Sequence, residues 1–135
     1  MRVVLDTNVL VAGLLSPFGP PGEIVRMASS GELTLCLDAR ILTEYDEVLR
    51  RPRFGFDAGE VAVLLDFVER RGHLVASAPL RDSLPDPDDE PFLEVALAGA
   101  AEHLVTGNLV HFPLPLRHGI AVVSPSEFLT AYRRR

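Results

Sequence analysis

The sequence is that of a three-layer α/β domain with a mainly parallel sheet, and three observations lead there. Short apolar runs without polar alternation recur, as in strands buried on both faces. Other segments carry apolar residues at the 3.6-residue period of an amphipathic helix. The two kinds alternate along the chain, which requires crossover connections and places helices on both faces of the sheet. No repeat or linker interrupts the 135 residues, so one domain spanning 1–135 is expected, large enough to bury roughly two thirds of its unfolded surface.

The first strand, Arg2-Val3-Val4-Leu5, stops abruptly on Asp6-Thr7-Asn8. In open α/β sheets ligands sit beyond the carboxyl ends of the strands, so Asp6 lands where such a fold places its chemistry. Asn8 is expected to cap a helix over Val9 to Leu15. An Asx turn would need one polar residue, whereas this strand ends on three. The Pro/Gly-rich stretch Ser16 to Gly22 is a loop, and a helix follows from about Pro21 to Ser29, ending at Gly31.

Leu33 to Leu37 is the second strand, and Asp38 caps a third helix that runs through Arg50 until Pro52 stops it. Ile41, Leu42, Tyr45, Val48 and Leu49 form its apolar face, with Glu44 and Asp46 on the two borders and Glu47 pointing away. Either bordering carboxylate can reach inward. Arg51 to Gly55 is a connector, Ala58 to Arg71 a helix with Val61, Leu64, Leu65 and Val68 inward, and His73 to Ala76 a third strand.

Five acids fall between Asp82 and Glu90, where prolines delay the next helix. That helix spans Phe92 to Ala101 with Phe92, Leu93, Ala96 and Ala100 inward; Asp89 falls in line with this stripe, whereas Asp88 and Glu90 are each about 100° away. His103 to Thr106 is the fourth strand, ending in the polar pair Gly107-Asn108, and Gly119 to Val123 is the fifth. Ser124 and Glu127 form a capping box for a last helix docked by Phe128 and Leu129, with Arg133-Arg134-Arg135 as a solvated tail.

Composition removes several classes of function. No apolar run reaches the roughly 20 residues that span a bilayer, and the N-terminus lacks a signal-peptide layout, so a cytoplasmic protein without a membrane partner is expected. The single cysteine, Cys36, lies in an apolar strand and reads as a buried thiol, which leaves no disulfide within the chain. The formal charge of −6 argues against coating nucleic acid by bulk basicity. All 13 basic residues are arginine, which excludes P-loop NTPases, Schiff-base enzymes and lysine-assisted phosphotransfer in their usual forms.

Asp6, Glu44 and Asp89 come from three separate elements, each at an inward position or on the border of an apolar face. Carboxylates gathered without a cation repel and raise one another's pKa, a conflict that a divalent metal removes. Hard oxygen ligands favour Mg2+ or Mn2+ and suit phosphate esters. The plainer alternative is that Asp86 to Glu90 is only an acidic helix start favoured by the helix dipole.

Val4-Leu5-Asp6-Thr7-Asn8-Val9-Leu10, Leu42-Thr43-Glu44-Tyr45 with Val48-Leu49, Asp86-Pro87-Asp88-Asp89 before Phe92-Leu93, and Leu104-Val105-Thr106-Gly107-Asn108 before His111-Phe112 resemble the successive motifs of PIN-domain proteins. The similarity is greatest to the VapC-related branch of toxin components of toxin-antitoxin systems. The resemblance implies a sheet of strand order 3-2-1-4-5 and a Mg2+- or Mn2+-dependent endoribonuclease, with RNA as substrate, an antitoxin as partner and a homodimer as assembly. Asp6, Glu44 and Asp89 then match the family's first three carboxylates, which selects Glu44 over Asp46. Asp86 matches an accessory acid. Asn108 stands where Asp is common, and an amide oxygen can coordinate a hard cation but brings no charge. Thr7, Asn8 and Thr106 would support the metal ligands or contact phosphate. His111 has two readings of similar weight, a contact to RNA phosphate or a loop histidine that anchors its own backbone. His73, His103 and His118 show no ligand spacing. Phe18 and Phe54 are candidates for an interface. The departure at Asn108 also leaves open a PIN-like module that binds RNA or protein without cleaving.

Overall fold

A computed structural model describes residues 1–135. Five strands, β1 (Arg2–Leu5), β2 (Thr34–Leu37), β3 (His73–Leu74), β4 (His103–Val105) and β5 (Val122–Val123), form one sheet of order β3-β2-β1-β4-β5. Every pair is parallel, with Val3 opposite Leu35 and Leu5 opposite Val105. Val3, Val4 and Leu5 are all fully buried. Because successive strand residues point to opposite faces, both faces of the sheet must be covered at β1. This is the doubly covered, three-layer arrangement expected from the unbroken apolar run.

Six helices supply the covering: α1 (Thr7–Leu15), α2 (Pro20–Ser29), α3 (Ala39–Leu49), α4 (Ala58–Arg71), α5 (Glu90–Ala98) and α6 (Pro125–Arg134). Helix α5 packs on β1, β2 and β4, α4 on β2, and α6 on β4 and β5, while α1 lies against α2 and α3. Two of the expected caps form. The Asp38 side chain accepts the Ile41 N–H at 3.0 Å, and Ser124 with Glu127 makes a complete capping box.

The departures have local causes. Helix α1 begins at Thr7, so Asp6 rather than Asn8 occupies the cap position, and the Asn8 side chain instead donates to Asp6 and accepts from Gly107 beyond the neighbouring strand. Helix α5 stops at Ala98, and the expected inward Ala100 is instead exposed, in a left-handed turn with φ 50°. At that turn Gly99 passes so close to Cys36 that a Cβ would sit 2.9 Å from its Sγ. The edge strands β3 and β5 are shorter than their apolar runs; β5 follows a turn in which His118 and Gly119 both have positive φ. Pro52–Phe54 forms a 3-10 turn in the expected connector, and Phe54 is half-buried, stacked on Phe56 at 5.7 Å. Phe18, in contrast, is 98% exposed. Nor is Arg133 part of a free tail: it lies on α6 and pairs with Glu23 of α2 at 2.8 Å.

Candidate active site

The centre of the site is Asp6, which follows the middle strand and is only 6% exposed. Its backbone N–H is held by the Val105 carbonyl at 2.9 Å, which extends the β1–β4 pairing to the carboxylate itself. Its Oδ2 accepts from the Thr106 hydroxyl at 2.8 Å and from the Asn8 amide at 3.3 Å. Asn8 completes the crossing with its Oδ1, which accepts the Gly107 N–H at 3.0 Å. Thr106 in turn accepts the Asn108 N–H at 3.0 Å. Two adjacent strand ends are thereby locked together around one buried anion.

The other two carboxylates arrive from helix α3 and from the entry to α5. Glu44 Oε2 accepts the hydroxyl of the buried Thr7, and the next residue, the fully buried Tyr45, donates its own hydroxyl to the Leu5 carbonyl. These contacts tie α3 to the end of β1. Asp89 closes the 3-10 turn Pro87–Asp89 and is buried, whereas Asp88 and Asp86 are exposed. The position of Asp89 on the helix wheel leads to the same distinction. Asp86 is engaged locally, its Oδ1 accepting the Asp88 N–H at 2.9 Å. Glu44 is nearer to solvent than Asp6 or Asp89, and Asp46 points elsewhere, paired with Arg50 at 2.5 Å.

The electrostatics follow from this crowding. Burial raises the pKa of Asp6 above its ordinary value despite the hydrogen bonds from Thr106, Thr7 and Asn8. Burial raises Glu44 too, aided by the charges of Asp6 and Asp88. Asp89 is pushed up to about 6, first by burial and then by Asp6, with Asp86 and Glu44 adding to the rise and His111 opposing it. His111 Nδ1 lies 3.2 Å from Asp89 Oδ2, yet that buried oxygen has no hydrogen-bond donor aligned on it.

The remaining expected residues are less engaged. Asn108 contributes through its backbone, its N–H donating to Thr106 and its carbonyl accepting the His111 N–H at 3.0 Å, and the residue is exposed. No three His, Cys, Asp or Glu side chains converge closely enough, as placed, to hold an ion. The residues nevertheless fit a divalent cation: three anionic groups with raised proton affinity and one orphaned buried oxygen form a donor set that lacks a positive charge. His73, His103 and His118 stay outside the cluster; His103 packs edge-on against Phe128 at 5.3 Å.

Sequence reading missed Glu94, which is buried on α5 and paired with Arg40 of α3 at 2.6 Å. The available signal was an acid set between Leu93 and Val95 in an otherwise apolar run.

A parallel sheet of order 3-2-1-4-5 with buried carboxylates beyond the ends of its central strands defines a PIN-like α/β protein. The family described as PIN domain matches residues 2–110, and the chain belongs to that family. No curated protein matches the sequence. In structure the chain is similar to the crystal structure of VapBC2 from Rickettsia felis bound to a DNA fragment from their promoter, with a TM-score of 0.59 and 15% identity over 92% of this chain and 98% of that one. At that identity the likeness is one of fold.

Proposed function

We propose that this chain is a metal-dependent endoribonuclease that hydrolyses RNA phosphodiester bonds, as the toxin of a toxin-antitoxin pair. The observation that carries the reading is the carboxylate trio Asp6, Glu44 and Asp89: Asp6 and Asp89 are buried, Asp6 and Glu44 are held by hydrogen bonds from the protein, and a buried oxygen of Asp89 is left without a donor. Membership in the PIN domain family and a fold like that of VapBC2 support it.

Asp6, Glu44 and Asp89 would hold Mg2+ or Mn2+, with Asp86 and Asn108 at the margin. When bound, the cation supplies charge neutralisation and Lewis acidity for hydrolysis of a phosphodiester. Thr106 and Asn8 hold Asp6 in one orientation, and Thr7 does the same for Glu44. His111 sits at the open side of Asp89, where it can meet an RNA phosphate. Water attacks phosphorus, the bond to the leaving ribose oxygen breaks, and that oxygen gains a proton. An antitoxin partner and a homodimer agree with large apolar side chains left in solvent, such as Phe18, Val63 and Val110. No helix is long and apolar enough to cross a membrane, in keeping with a cytoplasmic site of action.

The second reading, a module that binds RNA or protein without cleaving it, is favoured by one observation: Asn108 brings no fourth carboxylate. Incubation of the purified chain with RNA and Mn2+ separates the two readings. Cleavage that disappears in Asp6→Asn supports the nuclease, and retained RNA binding without cleavage at any metal concentration supports the module.

A further inference from the structure

Helix α5 carries a buried carboxylate away from the cluster, Glu94, at 7% exposure. Its Oε1 meets Arg40 Nη1 at 2.6 Å, and its Oε2 accepts the Leu80 N–H at 3.1 Å. Arg40 also donates through Nε to Asp38 Oδ2 at 2.9 Å and through Nη2 to Ser77 Oγ at 2.8 Å. One guanidinium thus joins the start of α3, the middle of α5 and the connector that follows β3. The connector is fastened to α5 again at Leu84, whose N–H donates to Glu90 Oε2 at 2.9 Å.

Each joined segment leads to a carboxylate of the candidate site. Glu44 lies four residues beyond Arg40, one turn along the same side of α3. Asp89 immediately precedes α5, and the connector ends at Asp86. Repulsion between Glu44 on α3 and Asp6 and Asp89 on the facing elements works to spread them apart. A bond between α3 and α5 just behind the cluster opposes that spreading. Arginine suits the task because its planar fork can engage Asp38, Glu94 and Ser77 together.

We propose that Arg40 and Glu94 form a brace that sets the separation of the α3 and α5 carboxylates, which makes Arg40 a positioning residue for the metal site. The inference rests on the reading of that site as metal-binding. Its test is calorimetric titration of Mn2+ into the unaltered chain and into Arg40→Gln, Arg40→Lys, Glu94→Gln and Asp6→Asn, each checked for folding by circular dichroism. Arg40→Gln is expected to weaken Mn2+ binding about tenfold or more, with Arg40→Lys recovering part of the loss. Glu94→Gln keeps an acceptor for the Leu80 N–H and should fall between them. The Mn2+ concentration for half-maximal RNA cleavage should rise by the same factor while KM for RNA stays unchanged. Lower thermal stability with unchanged Mn2+ affinity in Arg40→Gln would reduce the pair to a structural contact and overturn the brace. Should Arg40→Gln fail to fold, unchanged affinity in both Arg40→Lys and Glu94→Gln would overturn it equally. No Mn2+ binding by the unaltered chain would defeat the metal-site reading and the brace together. Binding lost in Asp6→Asn but unaltered in the Arg40 and Glu94 variants would defeat the brace alone.

Discussion

Leu5-Asp6-Thr7-Asn8 after β1 and Val105-Thr106-Gly107-Asn108 after β4 run side by side, with Leu5 opposite Val105 in the parallel register. Both segments pass from a buried aliphatic residue to polar groups ending on asparagine. Their outcomes differ because the backbone beyond each strand takes a different course. Behind β1 a helix begins at once, so Thr7 is buried and gives its hydroxyl to Glu44, and Asn8 is turned toward its neighbours. Behind β4 the chain is less enclosed: Gly107 and Asn108 are exposed, and only Thr106 remains buried. The first strand end therefore supplies the anion, and the second supplies the shorter of the two side-chain hydrogen bonds that orient it, from Thr106 at 2.8 Å against 3.3 Å from Asn8. Gly107 permits the close approach, since a Cβ there would stand 3.3 Å from Asn8 Oδ1.

This division can be broken most severely at its anion. Asp6→Asn should reduce cleavage by at least about 10³-fold, because several kcal/mol of transition-state stabilisation depends on a correctly bound metal. Its thermal stability should hold or rise slightly, since the amide retains an oxygen for Thr106 and removes one charge from a repulsive group. Metal-dependent activity at the wild-type level would show that the site lies elsewhere.

Next comes the contrast between buried and exposed neighbours on the α5 side. Under matched Mn2+, Asp89→Ala should cost about 10²-fold or more in cleavage rate, whereas Asp88→Ala, altered at an exposed side chain, should cost little. Equal losses in single-turnover assays would mean that both acids reach the reaction.

The donor side should be weaker in effect. Thr106→Val removes the hydroxyl that donates to Asp6 and accepts the Asn108 N–H, and should lower Mn2+ affinity about 10- to 100-fold. Calorimetry would detect it, and an unchanged affinity would assign Thr106 to folding alone.

A smaller effect should appear in the pH dependence of the metal-free protein. Asp89 binds its proton more tightly folded, at about 6, than unfolded, near 3.8. Between these values the native state holds more protons, so stability should fall as pH rises from about 4 to 6 and change little above that. The contribution should be about 1 kcal/mol, reduced by water at the open side of the cluster. Denaturant melts of the unaltered chain and Asp89→Asn across that range would test it, because the dependence should be weaker in the variant.

The smallest and most finely balanced expectation concerns Asn108→Asp. A fourth carboxylate should strengthen binding of a second Mn2+ and shift activity to lower metal concentration, making the β4 end anionic like that of β1. Unchanged stoichiometry with slower turnover would show instead that the amide helps to hold water or phosphate as a donor.

Local order was legible in the sequence wherever a single segment dictated it. The bounds of α4, the Asp38 cap, the Ser124–Glu127 box and the inward turn of Asp89 all depend on residues within a turn or two of one another, where period and capping chemistry suffice. The PIN resemblance supplied the strand order and the choice of Glu44 over Asp46, which helix periodicity alone leaves open. Tertiary structure decided what depended on distant partners: Asn8 spanning two strand ends instead of capping its helix, Arg133 docked on Glu23, and Glu94 buried because Arg40 meets it from another helix. Periodicity reports which side of an element faces the core, but a buried charge is allowed only by the particular group that compensates it. That group lies 54 residues away along the chain for Glu94, and 37 for the contact of Thr7 with Glu44.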